Sequence, residues 1–163
     1  MALKGDRHEL MVDLSSICND VCVKGDALFW TNGLSPSGSA LDDANNIVTL
    51  LTSSPSGRKI AGISLVNTVN IDTTRQHVNF HKDEVVIGSH VTILRQGWVV
   101  TDRIVASAAP VAGDKVYASY SGLLSNTVLG GGNVGPIGEW MSSKDPDGFA
   151  KCTIHLPAAG PLV

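Results

Sequence analysis

Residues 23–30 have the sequence VKGDALFW, in which a Gly-Asp turn leads directly into a run of apolar and aromatic residues. Residues 111–118, VAGDKVYA, repeat this arrangement with the glycine and the aspartate in the same places. Glycine and aspartate are favoured in tight turns, and aromatic residues are favoured in strands. Both segments therefore predict a turn that begins an aromatic-bearing strand.

Each of these segments is followed by a second matching element, IAGI at residues 60–63 and PIGEW at residues 136–140. We expect a single β-rich domain over residues 1–163, and this echo suggests two related β units at about 9–105 and 106–163. Residues 1–8 are expected to form an extended N-terminal arm.

Other segments have period-two alternation or short apolar runs, as strands do. Aspartate occurs twelve times and glutamate three times, a choice that suits turns better than helix interiors. The fold predicted is mainly β, a small β-barrel or β-sandwich of short antiparallel strands. The predicted strands are Ala27–Trp30, Ile47–Leu51, Ile60–Val66, His90–Leu94, Trp98–Thr101, Val116–Tyr120, Ile137–Met141 and Cys152–Leu156.

One short N-terminal helix is predicted as an exception, because five apolar residues follow the spacing of a single helical face. Asp13 is placed to cap its start, and Gly25 is placed to end it. The face would consist of Leu14, Ile17, Cys18, Val21 and Cys22.

Charge and hydropathy exclude several classes of protein. Twelve Lys and Arg against fifteen Asp and Glu give a net charge of −3, and the charges are scattered, so nucleic acid is not an expected partner. No apolar stretch approaches the roughly 20 residues that span a bilayer, and the start lacks the apolar core of a signal peptide. We expect no membrane association, synthesis in a cytoplasm, and three reduced cysteines.

Two groups of residues have the chemistry of metal ligands, and neither has convincing spacing. Cys18 and Cys22 with His77 and His81 offer four zinc-type ligands, but the two pairs lie too far apart for a zinc finger. His77, His81 and Glu84 suggest a cupin-like metal-dependent enzyme, although the closely spaced His-x-His of such barrels is missing. We expect no metal and no cofactor.

Catalytic signatures are also missing from the sequence. There is no Gly-x-Ser-x-Gly elbow, and the adjacent carboxylates at residues 42–43 and 83–84 would point to opposite faces of a strand. The Asp-Pro-Asp-Gly sequence at 145–148 lacks a full calcium ligand series and is predicted to be a turn. The chain is expected not to be an enzyme.

Four segments resemble structural proteins of tailed bacteriophages, and the nearest type is the small head-decoration, or cement, protein. These segments are residues 1–9, 74–85, 94–100 and 143–151. The resemblance implies a β-rich protein on the outer surface of the virion capsid, made in the cytoplasm of the bacterial host. It also implies that the major capsid protein is the partner, that the protein associates with itself, often as a homotrimer, and that no cofactor is bound.

We expect the polar arm to contact the capsid through Lys4, Arg7 and His8, because the arm precedes the predicted helix and has no evident core to join. Another binding role remains open, that of a head-fibre or tail component that touches the host. The cupin-like enzyme is the remote alternative.

Overall fold

The computed structural model describes residues 3–31, 47–51, 58–70, 84–128 and 135–156, and these residues are almost entirely strands and turns. Their only helical element is a single 3-10 turn at Tyr120–Gly122. The strands are β1 His8–Asp13, β2 Ile17–Cys18, β3 Ala27–Trp30, β4 Ile47–Thr49, β5 Ile60–Ser64, β6 Asn67–Val69, β7 Glu84–Val86, β8 Ile93–Thr101, β9 Lys115–Ala118, β10 Leu124–Ser125, β11 Gly138–Trp140 and β12 Ala150–His155.

Ten of these strands form one sheet in the order β10-β9-β11-β12-β8-β5-β3-β4-β2, and β1 also pairs with β8. Most neighbours are antiparallel, but β2 and β4 are parallel, as are β6 and β7 in a separate two-stranded sheet. The mainly β prediction is therefore confirmed. The described strands form a mixed sheet that does not close, so the barrel prediction is wrong, and the sandwich alternative stays a prediction.

The predicted N-terminal helix is absent, and residues 17–18 form strand β2 instead. The carboxylate of Asp13 accepts hydrogen bonds from the backbone amide and hydroxyl of Ser15, at 2.8 and 2.7 Å, which stabilises a turn and not a helix start. Leu14 and Val21 are exposed, whereas Cys18 and Cys22 are buried. The helical spacing was misleading because sheet pairing and loop packing bury the two cysteines without any helix.

All eight predicted strand segments contain strand residues, with one change of organisation. The end of the segment at residues 90–94 and the whole of the segment at 98–101 belong to a single nine-residue strand, β8, which begins at Ile93 and runs through the polar pair Arg95 and Gln96. Strand β12 has the period-two alternation of a sheet with one buried face, since Cys152 and Ile154 are fully buried while His155 is exposed.

The two Gly-Asp turns have the same local geometry. In the first, the Val23 amide donates to the Asp26 carboxylate at 2.9 Å, and the Asp26 amide donates to the Val23 carbonyl at 3.0 Å. Val111 and Asp114 make the same two bonds, both at 3.0 Å. Gly25 and Gly113 adopt φ values of +99° and +96°, which glycine tolerates best.

The strands that follow these turns also match in register. Leu28 of β3 lies opposite Gly62 of β5, and Val116 of β9 lies opposite Gly138 of β11. The turn and its first strand pair therefore recur with the same design. That residues 9–105 and 106–163 are two related units stays a prediction.

The larger of two buried apolar clusters, which we call the main core cluster, includes Phe29 and Ile63 from the first predicted unit and Val116, Trp140 and Ile154 from the second. It therefore joins the two units into one packed body. Among the described residues, Trp140 and Phe29 are the largest side chains that are fully buried. A smaller cluster lies around Cys18, Cys22 and Leu28.

Strands β11 and β12 pack so closely at Gly138 that a Cβ atom at this position would overlap the backbone carbonyl of Thr153. A substitution at Gly138 therefore tests this packing. We expect Gly138→Ala to lower the free energy of unfolding by about 2 kcal/mol or more, since the backbone cannot yield as a flexible side chain would. Gly5→Ala is the control, because nothing lies within 4 Å of the added atom. Equal denaturant midpoints for the two variants would contradict this packing.

Candidate interaction surface

The N-terminal segment, residues 3–8, lies along strand β8. Leu3 is only 4% exposed, belongs to the main core cluster and forms a β-bridge with Thr101. The Lys4 amide donates to the carbonyl of Val100 at 2.9 Å. The expectation that residues 1–8 have no core to join is therefore wrong, because Leu3 fills an apolar site that a distant strand provides.

The side chain of Lys4 is held by the turn before β12. Its Nζ lies 2.7 Å from Oδ2 of Asp145 and 4.4 Å from the centre of the Phe149 ring. A cation over an aromatic face gains from the negative potential of the ring. The hydrogen bond from Lys4 also holds the pKa of Asp145 below its ordinary value.

Arg7 and His8 are exposed and have different surroundings. Arg7 pairs with Glu9 of β1, with 2.8 Å between Nε and Oε1. The His8 ring stacks on the indole of Trp98, with 4.5 Å between centroids and an interplanar angle of 18°. All three predicted capsid-binding residues thus lie on one short segment of the surface, and each has an intramolecular contact.

Trp98 is the centre of a small cluster that we call the Trp98 platform, made of Asp6, His8, Trp98 and Lys151. Lys151 of β12 places its Nζ 5.0 Å from the indole centre and 3.1 Å from Oδ2 of Asp6. The indole is half-buried between a ring and a cation supplied by two different strands. Sequence reasoning placed Trp98 in a strand, but it could not foresee the contacts with His8 and Lys151.

The charges of this surface are balanced. Lys4 pairs with Asp145, Arg7 with Glu9, and Lys151 with Asp6. Exposed pairs of this kind contribute little to stability, so their groups are available to exchange partners at an interface. The surface therefore offers donors, acceptors and an aromatic face, and it presents no concentrated positive charge.

A second feature of this region, which sequence reasoning missed, is apolar. Leu10, Met11 and Val12 of β1 are exposed by 62%, 51% and 38%, and Leu14 just beyond the strand is exposed by 63%. The signal is present in the sequence as three consecutive apolar residues without period-two alternation. This apolar run was overlooked because Leu14, which follows it closely, was assigned to the face of the predicted helix.

The three cysteines are buried and so are not part of this surface. Cys18 and Cys22 belong to the smaller core cluster, where the Cys22 amide donates to Oγ1 of Thr68 at 2.6 Å and the Cys22 thiol lies 3.2 Å from the same oxygen. A hydrogen bond with the Cys22 thiol, together with burial, raises the pKa of Cys18. In the main core cluster, burial raises the pKa of Cys152 to about 12.

Of the metal ligands suggested by the sequence, His77 and His81 lie outside the described residues, and Glu84 is an exposed residue at the start of β7. Among the residues that the structure describes, no three His, Cys, Asp or Glu side chains are grouped to share a metal ion.

One buried ion pair stabilises the first Gly-Asp turn. Asp26, 1% exposed, accepts from Nε of Arg103 at 2.5 Å through Oδ1 and from the Val23 amide through Oδ2. Burial raises the pKa of Asp26 in spite of these bonds. Because both carboxylate oxygens are bonded within the turn or to Arg103, Asp26 has a structural role.

The contact between Lys4 and Asp145 predicts an effect of acid. Because the pKa of Asp145 is lowered in the folded state, its stabilising contribution is present above the pKa of the unfolded chain, about 3.9. It is lost as the pH falls through the lower, folded value. We expect Asp145→Asn to lower the thermal midpoint slightly at pH 7, and we expect this difference to vanish near pH 2.

Asp147→Asn is the control, because Asp147 is exposed and lies two residues away in the same turn. The thermal midpoint of Asp147→Asn should change between pH 7 and pH 2 by the same amount as that of the wild type. If the thermal midpoints of Asp145→Asn and the wild type differ by the same amount at pH 7 and at pH 2, the Asp145 carboxylate does not stabilise the fold through Lys4.

The buried thiols predict slow chemical modification. All three cysteines are buried, so a bulky reagent cannot reach them. This holds for Cys22 too, although a hydrogen bond with the Cys18 thiol lowers the pKa of Cys22 to about 6 and so favours its reactive thiolate form. We expect less than one thiol per chain to react with an aromatic disulfide reagent within minutes at pH 8, and three to react after unfolding in guanidinium. Rapid reaction of two thiols in the native protein would show that the Cys18 and Cys22 region is open.

The described part of the chain contains no helix with the length and apolar character needed to cross a bilayer. Comparison with known proteins adds no assignment: no family model matches the chain, and no curated protein is significantly similar to it.

Proposed function

We propose that this protein is a structural component of a tailed-phage virion that binds the outside of the assembled capsid and stabilises it. The observation that supports the proposal is that three of the segments on which the resemblance rests lie next to one another in the fold. Of the four segments that resemble such proteins, three meet on one surface, through β1–β8 pairing and the contact between Lys4 and Asp145: the described part of the first, residues 3–9, with residues 94–100 and 143–151. Most of the fourth, residues 74–85, lies outside the described residues.

The design of this surface suits a lattice-binding protein. Strand pairing and Leu3 hold residues 3–9 in place before any partner is present, so little conformational entropy is lost on binding. A protein that binds only the assembled lattice stabilises it by mass action, and symmetry multiplies modest contacts. The proposed partner is the major capsid protein, and Arg7, His8 and the Trp98 platform are the proposed contacts.

Under this proposal the chain has no catalytic role and binds no cofactor, nucleic acid or membrane. The mature protein lies on the outer capsid surface after synthesis in the host cytoplasm. A homotrimer, as in the resembling proteins, is proposed for the capsid-bound protein.

The test is to mix the purified protein with empty expanded capsids and to count the copies bound per capsid by sedimentation. We expect saturable binding, weakened tenfold or more in Arg7→Ala/His8→Ala, because both side chains are exposed and belong to the proposed contact. The double variant should unfold at nearly the wild-type temperature, since interactions between exposed side chains add little to stability.

Lys115→Ala is the matched control, because Lys115 is likewise an exposed, paired cation, 3.2 Å from Glu139 on strand β11. Deleting residues 1–8 is a poor test, since it removes the buried Leu3 along with the exposed side chains. Wild-type binding by the double variant would reject this surface. Failure of the unaltered protein to bind capsids would reject the function.

A further inference from the structure

Strand β1 has an edge with no described partner. It pairs with β8 on one side, and no strand of the described residues pairs with its other side. Five of its six residues are exposed, including the apolar Leu10, Met11 and Val12. An exposed edge strand offers unpaired amides and carbonyls to another chain, and soluble proteins protect such edges with charged side chains, especially lysine, with proline or with β-bulges. Residues 8–13 contain no lysine and no proline.

Two irregularities in the β1–β8 ladder cancel each other. Register shifts occur between Glu9 and Met11 and between Met11 and Val12. Yet Glu9 pairs with Gly97 and Val12 pairs with Leu94, which is a step of three residues on both strands. Leu10 itself has no partner on β8, but the two ends of β1 keep a common register, so both ends can still pair with another strand.

We propose that β1 pairs antiparallel with β1 of a second copy of this chain about a two-fold axis, with Leu10 at the centre. In such a pair the axis passes between one residue and the same residue of the other copy, so the register is set by the choice of central residue. Charge decides among the choices, because like charges directly opposite each other destabilise a strand pair.

With Leu10 at the centre, Arg7 lies opposite Asp13 of the second copy, and the two Leu10 side chains meet. A centre at Glu9 would place two glutamates face to face. A centre at Met11 would place Glu9 opposite Asp13. A centre at Val12 would leave only residues 11–13 of each strand overlapping. Among these choices, the Leu10 register alone places opposite charges against each other, at Arg7 just before β1 and Asp13 at its end, while residues 8–12 of the two strands overlap.

This self-pairing can be measured without capsid, because it forms between two free copies of the chain. Two of its residues, Arg7 and His8, also belong to the proposed capsid contact. It differs from a three-fold contact, because a two-fold pair joins two copies through the free edge of β1 in each. No β1 edge then remains for a third copy. Its effect would be to join two sheets edge to edge and to present two Trp98 platforms on one particle.

Site-directed cross-linking tests the register. Residues directly opposite each other in a strand pair have Cβ atoms about 4.5–5.5 Å apart, close to the separation that a disulfide spans. The Leu10→Cys protein, incubated with glutathione disulfide, should form a covalent dimer. Two thiols lose two protons and two electrons to make the new S–S bond, and glutathione disulfide is reduced to two glutathione molecules.

Leu14→Cys is the matched control, because Leu14 is 63% exposed against 62% for Leu10. In the proposed register the two copies of position 14 are eight residues apart along the strand direction, or about 27 Å. The native cysteines are buried and do not compete. We expect Leu10→Cys to dimerise at least tenfold faster than Leu14→Cys, and equal rates would overturn the proposal.

The oligomeric state gives a second readout that needs no new thiol. We expect the unaltered protein to sediment as a dimer at tens of micromolar in the absence of capsid, and Leu10→Lys to sediment as a folded monomer. The thermal midpoint of Leu10→Lys should be lowered only by the loss of association, so it should not vary with protein concentration. Leu14→Lys should remain a dimer. A monomeric unaltered protein, or a higher oligomer that Leu10→Lys leaves intact, would overturn the two-fold pairing.

Discussion

The two-sided pairing of strand β8 is the constraint on which the rest of the structure depends. Ile93 and Leu94 pair with both β1 and β5, and Gln96, Gly97 and Trp98 pair with both β1 and β12. Strands β5 and β12 therefore follow one another along one edge of β8, and β1 occupies the other. This single strand therefore connects three parts of the fold. Through β5 it joins the strands of the first Gly-Asp turn, through β12 it joins those of the second, and through β1 it joins the N-terminal segment.

Glycine makes this crowding possible. Gly97 has a φ of +148°, and a Cβ atom there would overlap the carbonyl of His8 on β1. On the β5 side, Gly62 has the same role against Ile93 and the Leu94 carbonyl. Because the backbones approach so closely, Leu3 and Lys4 are carried to β8 and to the turn before β12. The same approach lets His8 stack on Trp98, so the surface proposed to bind the capsid is a direct product of the sheet.

Much of the fold could be predicted from the sequence because its signals are local. The Gly-Asp turns bond within four residues, and the alternation of β12 reflects one buried face. The failures have non-local causes. Leu3 is buried by Thr101 and its neighbours nearly a hundred residues away, so no local pattern distinguishes it from a free arm. Cys18 and Cys22 are buried against Val48 and Thr68, which are distant in sequence. The four-residue spacing of the two cysteines suggested a helical face, although no helix buries them. For the surface, the sequence indicated Lys4, Arg7 and His8, but it could not show their partners.

Hydrogen–deuterium exchange of the free protein tests most directly whether the N-terminal segment belongs to the β8-centred sheet. We predict that amides in a peptide covering residues 3–13 exchange far more slowly than in an unfolded chain, with protection approaching that of residues 93–101. Exchange of residues 3–13 at unfolded-chain rates, while β8 and β12 stay protected, would contradict this placement of the segment.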